Sequence, residues 1–472
     1  MTDPQAGALA ARDLEVFWHP ASQMRDYRAF PPLEVTGAQG CRLQLADGRV
    51  VLDAISSWWC KSLGHGHPRL RGALEAQLGR FEHVITAGTT NLPLVSLCER
   101  LLALANGRPP AEWGPGAPAG RQGGHFGKVF LADNGSTAVE IALKMALQAQ
   151  AQRGQPARRR FAALANGYHG ETVGALSVGD QGLYGGPFAA LTFPVTKLDG
   201  LPYRSGPADP RWMDAADEWP HIEAQLAPLA PELAAIICEP VLQAAGGMRL
   251  YSPDLLRRLS AWARAHDVYL IADEIASGMG RLGAMLATHL ASPGSPEAAL
   301  PDFVALSKGL TGGFLPLSAV LTTDAVHEVF DADGVERAFL HSNTYTGNAL
   351  GVAVALAALD AYVDEDVLAA VARTAPVLAD AVAALVAERP FLRNPRHAGL
   401  CAAVDLRDPT GGPLPPARRT GLLVYREAVR RGALLRPLGD TMYLFPPLNT
   451  AAADLRAMVA VLGQSIDAVF RT

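Results

Sequence analysis

The chain has 472 residues, of which 49% are hydrophobic, and a formal net charge of −5 at pH 7. That length and composition allow a sizeable core, in one large domain with smaller lobes. The acidic balance supplies no basic field for nucleic acid or an anionic membrane, and the run Arg158-Arg-Arg160 is too short to change this.

Met1 to Val16 mixes charged and polar residues with alanines and lacks a basic segment followed by an apolar one, so no export signal is expected. Five cysteines, Cys41, Cys60, Cys98, Cys238 and Cys401, are widely spaced and form no Cys-x-x-Cys pair. They read as reduced thiols in a cytoplasmic protein, with neither a disulfide framework nor a zinc site.

In chain order, Cys41 to Leu45, an Asp47-Gly48 turn and Val50 to Asp53 form a hairpin signal. Ser56-Ser-Trp-Trp-Cys60 follows, and adjacent tryptophans suit either a packed interface or the wall of an apolar pocket. His65 and His67 have a spacing open to a metal, but with no third ligand a structural turn is the better reading. Helical periodicity covers Pro68 to Leu78 and Leu92 to Ala105, and the Gly- and Pro-rich stretch Asn106 to Gly124 reads as a surface insertion.

A short strand at Lys128 to Ala132 runs into Asp133-Asn-Gly-Ser-Thr137, where small residues open a helix. The N–H groups there and a hydroxyl suit a phosphate at Gly135, Ser136 and Thr137, although a plain helix cap explains the same residues. The strand Phe161 to Leu164 ends on Asn166-Gly-Tyr-His-Gly170, which puts Tyr168 where an aromatic ring either covers a planar cofactor or simply packs. Strand Ala234 to Cys238, helix Pro253 to His266 and strand Val268 to Asp273 continue the alternation. This rhythm predicts an α/β fold with a doubly wound, mainly parallel sheet.

The next strand, Phe303 to Leu306, leads to Lys308, the only ionisable side chain between Asp302 and Asp324. Apolar surroundings lower an amine's pKa and leave neutral amine able to attack a carbonyl. Asp273 closes the preceding buried strand, at the carboxyl end where open α/β sheets bind ligands. A lysine for an aldehyde and a carboxylate for a pyridinium nitrogen form the pair that pyridoxal phosphate (PLP) requires. The uncharged run Gly309 to Thr323 falls short of the ~20 apolar residues of a membrane span, so a soluble protein is expected. Leu317 to Leu321 reads as a strand, Leu350 to Tyr362 as a long helix with helices continuing to about Glu388, and Leu400 to Asp405, Ala433 to Arg436 and Met442 to Phe445 as strands of a smaller α+β domain. Asp408 to Arg419 reads as a surface loop, and there is no internal repeat.

With Gly135-Ser-Thr-Ala-Val-Glu140, Ala272-Asp-Glu-Ile275 and Leu306-Ser-Lys-Gly-Leu-Thr-Gly-Gly313 in this order, the chain resembles the class III (omega) aminotransferases of PLP fold type I. The motifs Ser56-Ser-Trp-Trp59, Tyr168-His-Gly-Glu-Thr172, Glu239-Pro240 with Gly246-Gly-Met248, and Leu435-Arg-Pro437 resemble the branch that moves an amino group from S-adenosylmethionine to 8-amino-7-oxononanoate in biotin biosynthesis. The similarity runs from about Val16 to about Pro447. It implies a large PLP-binding domain at 61–345 with a mainly parallel, seven-stranded-type sheet, and a small α+β domain built from 1–60 and 346–472.

It also implies that Lys308 carries the cofactor, Asp273 holds its pyridine nitrogen and Tyr168 covers its ring. Gly135 and Ser136 would hold the phosphate, with Asn343 and Thr344 reaching the site of the other subunit in a homodimer with shared active sites. Trp58, Trp59 and Tyr168 would line the substrate channel near Ser342, and Arg436 would bind the substrate carboxylate. Arg281 matches a second arginine near that mouth, a helix-end ion pair being an equal reading. Many members carry tyrosine where this chain has Ala21, and a Gly-Pro pair at Ser342-Asn343. The same core motifs fit another omega-aminotransferase using a diamine or omega-amino acid with a keto acid acceptor, or lysine in place of S-adenosylmethionine as donor. A PLP-binding regulator without catalysis is disfavoured, because no DNA-binding segment precedes Val16.

Overall fold

The computed structural model describes residues 8–120, 123–180, 182, 185–291 and 300–471. Residues 1–7 of the segment read for an export signal, and 121–122 of the 106–124 stretch, lie outside the described residues.

A seven-stranded sheet organises the chain, in the spatial order Phe126–Ala132, Ser318–Thr323, Phe303–Leu306, Tyr269–Asp273, Leu233–Cys238, Arg160–Leu164 and Thr196–Leu198. Six strands run one way, and Ser318–Thr323 alone runs antiparallel to both its neighbours. Every residue of Leu233–Cys238, Tyr269–Asp273 and Phe303–Leu306 is buried, as central strands covered on both faces must be.

Alternate side chains divide between the two faces. Ala235, Ile237, Ile271 and Phe303 pack with Ala138, Ile141 and Ala142 of helix Gly135–Gln152. Ile236 and Leu270 pack with Leu255, Leu259 and Ala263 of helix Pro253–Ala265. Helices Leu92–Ala105 and Ala349–Asp364 join the core beneath Val304, Leu306, Ala319 and Leu321. The expected alternation is therefore a doubly wound sheet.

The two ends of the chain meet away from this sheet. The hairpin forms as expected, with Arg42–Leu45 antiparallel to Val50–Asp53. Its Val50–Asp53 strand then pairs in parallel with Ala433–Leu434 from the far end of the sequence. Leu392–Ala398, Cys401–Leu406 and Thr441–Leu444 form a separate antiparallel sheet.

Two local expectations change. The strand expected at Ala433 to Arg436 stops at Leu434, because Pro437 has no N–H to extend a ladder and Arg436 is drawn toward the Ala21 carbonyl. Asn106 to Gly124 is less superficial than its composition suggests: Trp113 is buried, its carbonyl accepts from Arg100 Nε at 2.6 Å, and Asn106 exchanges two hydrogen bonds with the Phe126 backbone. Among the described helices, Val367–Ala387 is long and apolar enough to cross a membrane by length and composition alone. Its Val367, Val371, Leu378, Val382 and Leu385 are buried in the core.

Candidate active site

A cavity of about 460 Å³ opens at the carboxyl ends of the central strands, and Asp273, Glu239, Tyr168 and Lys308 all face it. Asp273 is nearly inaccessible, and its Oδ2 lies 2.8 Å from His169 Nδ1 while Oδ1 accepts the Ile275 N–H. With Nδ1–H donating to that carboxylate, His169 Nε2 remains buried without a hydrogen-bond partner. The imidazole thus fixes the carboxylate at the cavity floor.

Glu239 continues the neighbouring strand, and its carboxyl accepts the Tyr168 N–H at 2.9 Å and the Ala244 N–H at 3.0 Å. Burial, followed by the nearby charge of Asp273, pushes its pKa up to about 8. Lys308 opens a short 3₁₀ turn directly after Phe303–Leu306. Burial pulls its amine below the ordinary lysine value, opposed first by Asp273 and then by Glu239. Its Nζ lies 5.3 Å from the centre of the Trp59 ring, so an aromatic wall flanks the amine.

The opposite end of the cavity is the first turn of helix Gly135–Gln152. Asn134 Oδ1 caps it by accepting the Thr137 N–H at 3.0 Å, which leaves the earlier N–H groups at Gly135 and Ser136 in the cavity wall. A helix of 18 residues concentrates positive potential there. The backbone is closely packed at this point: Gly170 adopts φ +124°, and a Cβ on it would collide with Ser136. These residues fit PLP: an anion cradle, a buried carboxylate for a ring nitrogen, an aromatic side chain and an amine share one cavity.

Residues 56–59 form the tryptophan wall on a turn of unusual backbone, with φ of +52°, +60° and +66° at Ser56, Ser57 and Trp59. Trp59 is buried and donates from Nε1 to Tyr443 Oη at 3.0 Å. Trp58 is 45% exposed, and the Arg436 guanidinium lies 4.5 Å from the centre of its ring. Arg436 also donates to the Ala21 carbonyl at 2.8 Å, so Ala21 contributes its backbone.

Residues 23–466 match the family model Aminotransferase class-III. The chain belongs to the class III aminotransferases, which are PLP-dependent. Its relatives include the adenosylmethionine-8-amino-7-oxononanoate aminotransferases of Synechococcus elongatus, 38% identical over 96% of this chain and 98% of the relative, and of Helicobacter pylori, 37% identical over 97% and 98%. The crystal structure of the enzyme of that name from Methanocaldococcus jannaschii superposes with a TM-score of 0.87 at 30% identity, covering 98% of this chain and 99% of the other. A PLP-bound amine transaminase from an uncultivated Pseudomonas species gives 0.84 at 31% identity, covering 96% and 98%.

The structure gathers Lys308, Asp273, Tyr168, Gly135, Ser136, Trp58 and Trp59 around this class III cavity and places Arg436 against Trp58. Ser342, Asn343 and Thr344 do not line it; they belong to a turn closed by Thr346, where the Thr344 carbonyl lies 2.8 Å from His83 Nε2. Arg281 is also outside the lining. It is buried, donates from Nη1 to the Leu400 and Pro446 carbonyls, and stacks 3.7 Å from the Phe445 ring centre. His65 and His67 turn to Asp53 and Glu365, and no group of three or more metal-ligating side chains occurs among the described residues. His169 and Glu239 escaped the sequence reading as site residues; the signals were the histidine after Tyr168 and the acid closing the Leu233–Cys238 strand.

Proposed function

We propose that this aminotransferase moves an amino group from S-adenosylmethionine to the ketone of 8-amino-7-oxononanoate, acting as a homodimer with shared active sites. The observation that carries this reading is the run of aromatic surface from Lys308 past Trp59 and Trp58 to Arg436. An apolar chain with a terminal carboxylate matches it, because a forked guanidinium grips a carboxylate at two points. The names of the relatives support both substrates.

When bound, PLP supplies the electron sink that lets a carbon beside an amine lose its proton. The chain's own residues would do the rest. Asp273, fixed by His169, would hold the ring nitrogen with its negative charge. Gly135 and Ser136 would bind the phosphate through backbone N–H groups. Lys308 would hold the aldehyde and, as the free amine, would carry the proton from the donor carbon to the carbon that had been the aldehyde, a transfer its lowered pKa favours. Tyr168 would exclude water from that transfer.

The test is the visible spectrum of the PLP-loaded protein, titrated with S-adenosylmethionine, then lysine, then an omega-amino acid, with 8-amino-7-oxononanoate added last. Bleaching by S-adenosylmethionine and recovery with the amino-ketone are expected, with Lys308→Ala showing no turnover. Bleaching by lysine alone would change the donor. Failure of the amino-ketone to restore the colour would remove the substrate assignment.

A further inference from the structure

We propose that Asp53 and His65, which do not line the cavity, are positioning residues that hold the tryptophan wall in place for the amino acceptor. The assignment to an acceptor rests on the functional reading above, whereas the mechanical claim stands on the hydrogen bonds that residues 53–65 make among themselves and with Phe445.

Three non-glycine residues of the four from Ser56 to Trp59 lie in the left-handed region, a conformation that persists only where the surroundings impose it. The surroundings here are specific. Asp53 is wholly inaccessible, and its Oδ1 accepts the Ile55 N–H at 3.2 Å while Oδ2 accepts the Ser57 N–H at 2.7 Å. Ser56 Oγ donates to the Phe445 carbonyl at 2.7 Å. One carboxylate therefore ties down the residues on both sides of Ser56, immediately before the two tryptophans.

His65 completes the clamp from the next turn. Its Nε2 lies 2.7 Å from Asp53 Oδ2, the same oxygen that holds Ser57. The His65 backbone is fixed independently by two hydrogen bonds with Gly40, at 2.8 and 2.9 Å. Removing the imidazole thus leaves the chain path intact and takes one of two donors from a buried carboxylate oxygen. That oxygen is then free to rotate away from Ser57, and the turn loses what imposes its conformation.

The test compares His65→Ala, His65→Gln and wild type. Acrylamide quenching of Trp59 fluorescence, isolated by subtracting the matching Trp59→Phe protein, reports the wall without any substrate. The two half-reactions are followed separately through cofactor absorbance. His65→Ala should roughly double the quenching constant and raise the acceptor KM about tenfold, while the donor half-reaction stays within about twofold. His65→Gln, whose amide still donates to Asp53, should restore both.

Both changes are required, and either one without the other overturns the proposal. A parallel fall of the two half-reactions also overturns it, because a merely structural role would produce that. Should the wild type not accept 8-amino-7-oxononanoate, the functional reading fails by itself; the KM comparison then uses an unbranched aldehyde of similar length, and the quenching result still decides the clamp.

Discussion

Glu239 and Lys308 face one cavity, and burial drives both toward neutrality. For Glu239 this has a consequence that can be measured on the protein without substrate. Its ordinary pKa of 4.5 rises to about 8 in the fold. An unfolded chain releases the proton near the lower value, and the folded chain keeps it until the higher one. The associated stability is therefore complete below about pH 4.5 and is lost as the pH climbs to about 8. Glu239→Gln has no proton to release, so its unfolding free energy should fall less over that window, by up to about 5 kcal/mol. Equal pH slopes for the two proteins in denaturant titrations would refute this. At this scale the legible residues were those with a local anomaly: Lys308 as the one charge in an apolar run, and Asp273 at the end of a buried strand. His169 carries no such mark, because its partner is Asp273, 104 positions away.

Elements with strong periodicity are legible in the sequence. Pro68–Leu78 and Leu92–Ala105 form with the expected bounds, and the continuous apolar runs become the buried strands. The turns between elements were not legible, since their conformation is set by contacts distant in sequence. Ser56 to Trp59 depends on Phe445 and Tyr443, and the proposed phosphate cradle depends on Gly170 from the loop after another strand. That cradle yields a prediction for the helix as a whole. A methyl group at residue 170 must displace Ser136 from the first turn of Gly135–Gln152, and φ +124° disfavours any side chain there. Gly170→Ala should weaken PLP binding to the apoprotein at least about tenfold, or ~1.4 kcal/mol. An unchanged dissociation constant, read from cofactor absorbance, would mean that this end of the helix does not hold the phosphate.

Across the whole molecule, the two chain ends share one sheet, and Arg281 shows what that arrangement demands. Its position near Gly280 resembled a substrate contact in sequence. In the fold the guanidinium instead bridges from the loop after Tyr269–Asp273 to the Leu400 and Pro446 carbonyls. Burial lowers its pKa to about 10, which still leaves it charged at neutral pH. Such a long-range tie has no local signal.

Thr344 lies outside its own cavity, on a turn anchored to the 83–86 segment through His83 and by the Thr86 hydroxyl donating to the Thr346 carbonyl. Around it Ile85, Leu92, Leu340 and Tyr345 are exposed, more large apolar surface than one small face of a monomer usually shows. In the proposed homodimer a second copy covers this face, and each Thr344 serves the other subunit's cavity. Sedimentation of the wild type should then give a dimer, and Leu340→Asp should shift it toward monomer, with PLP affinity falling in proportion to the monomer fraction. A wild-type monomer would refute the dimer. A monomeric Leu340→Asp protein that binds PLP as tightly as wild type would keep the dimer but confine each cradle to its own chain, since the charge at residue 340 would then have broken the interface without removing anything the cofactor touches.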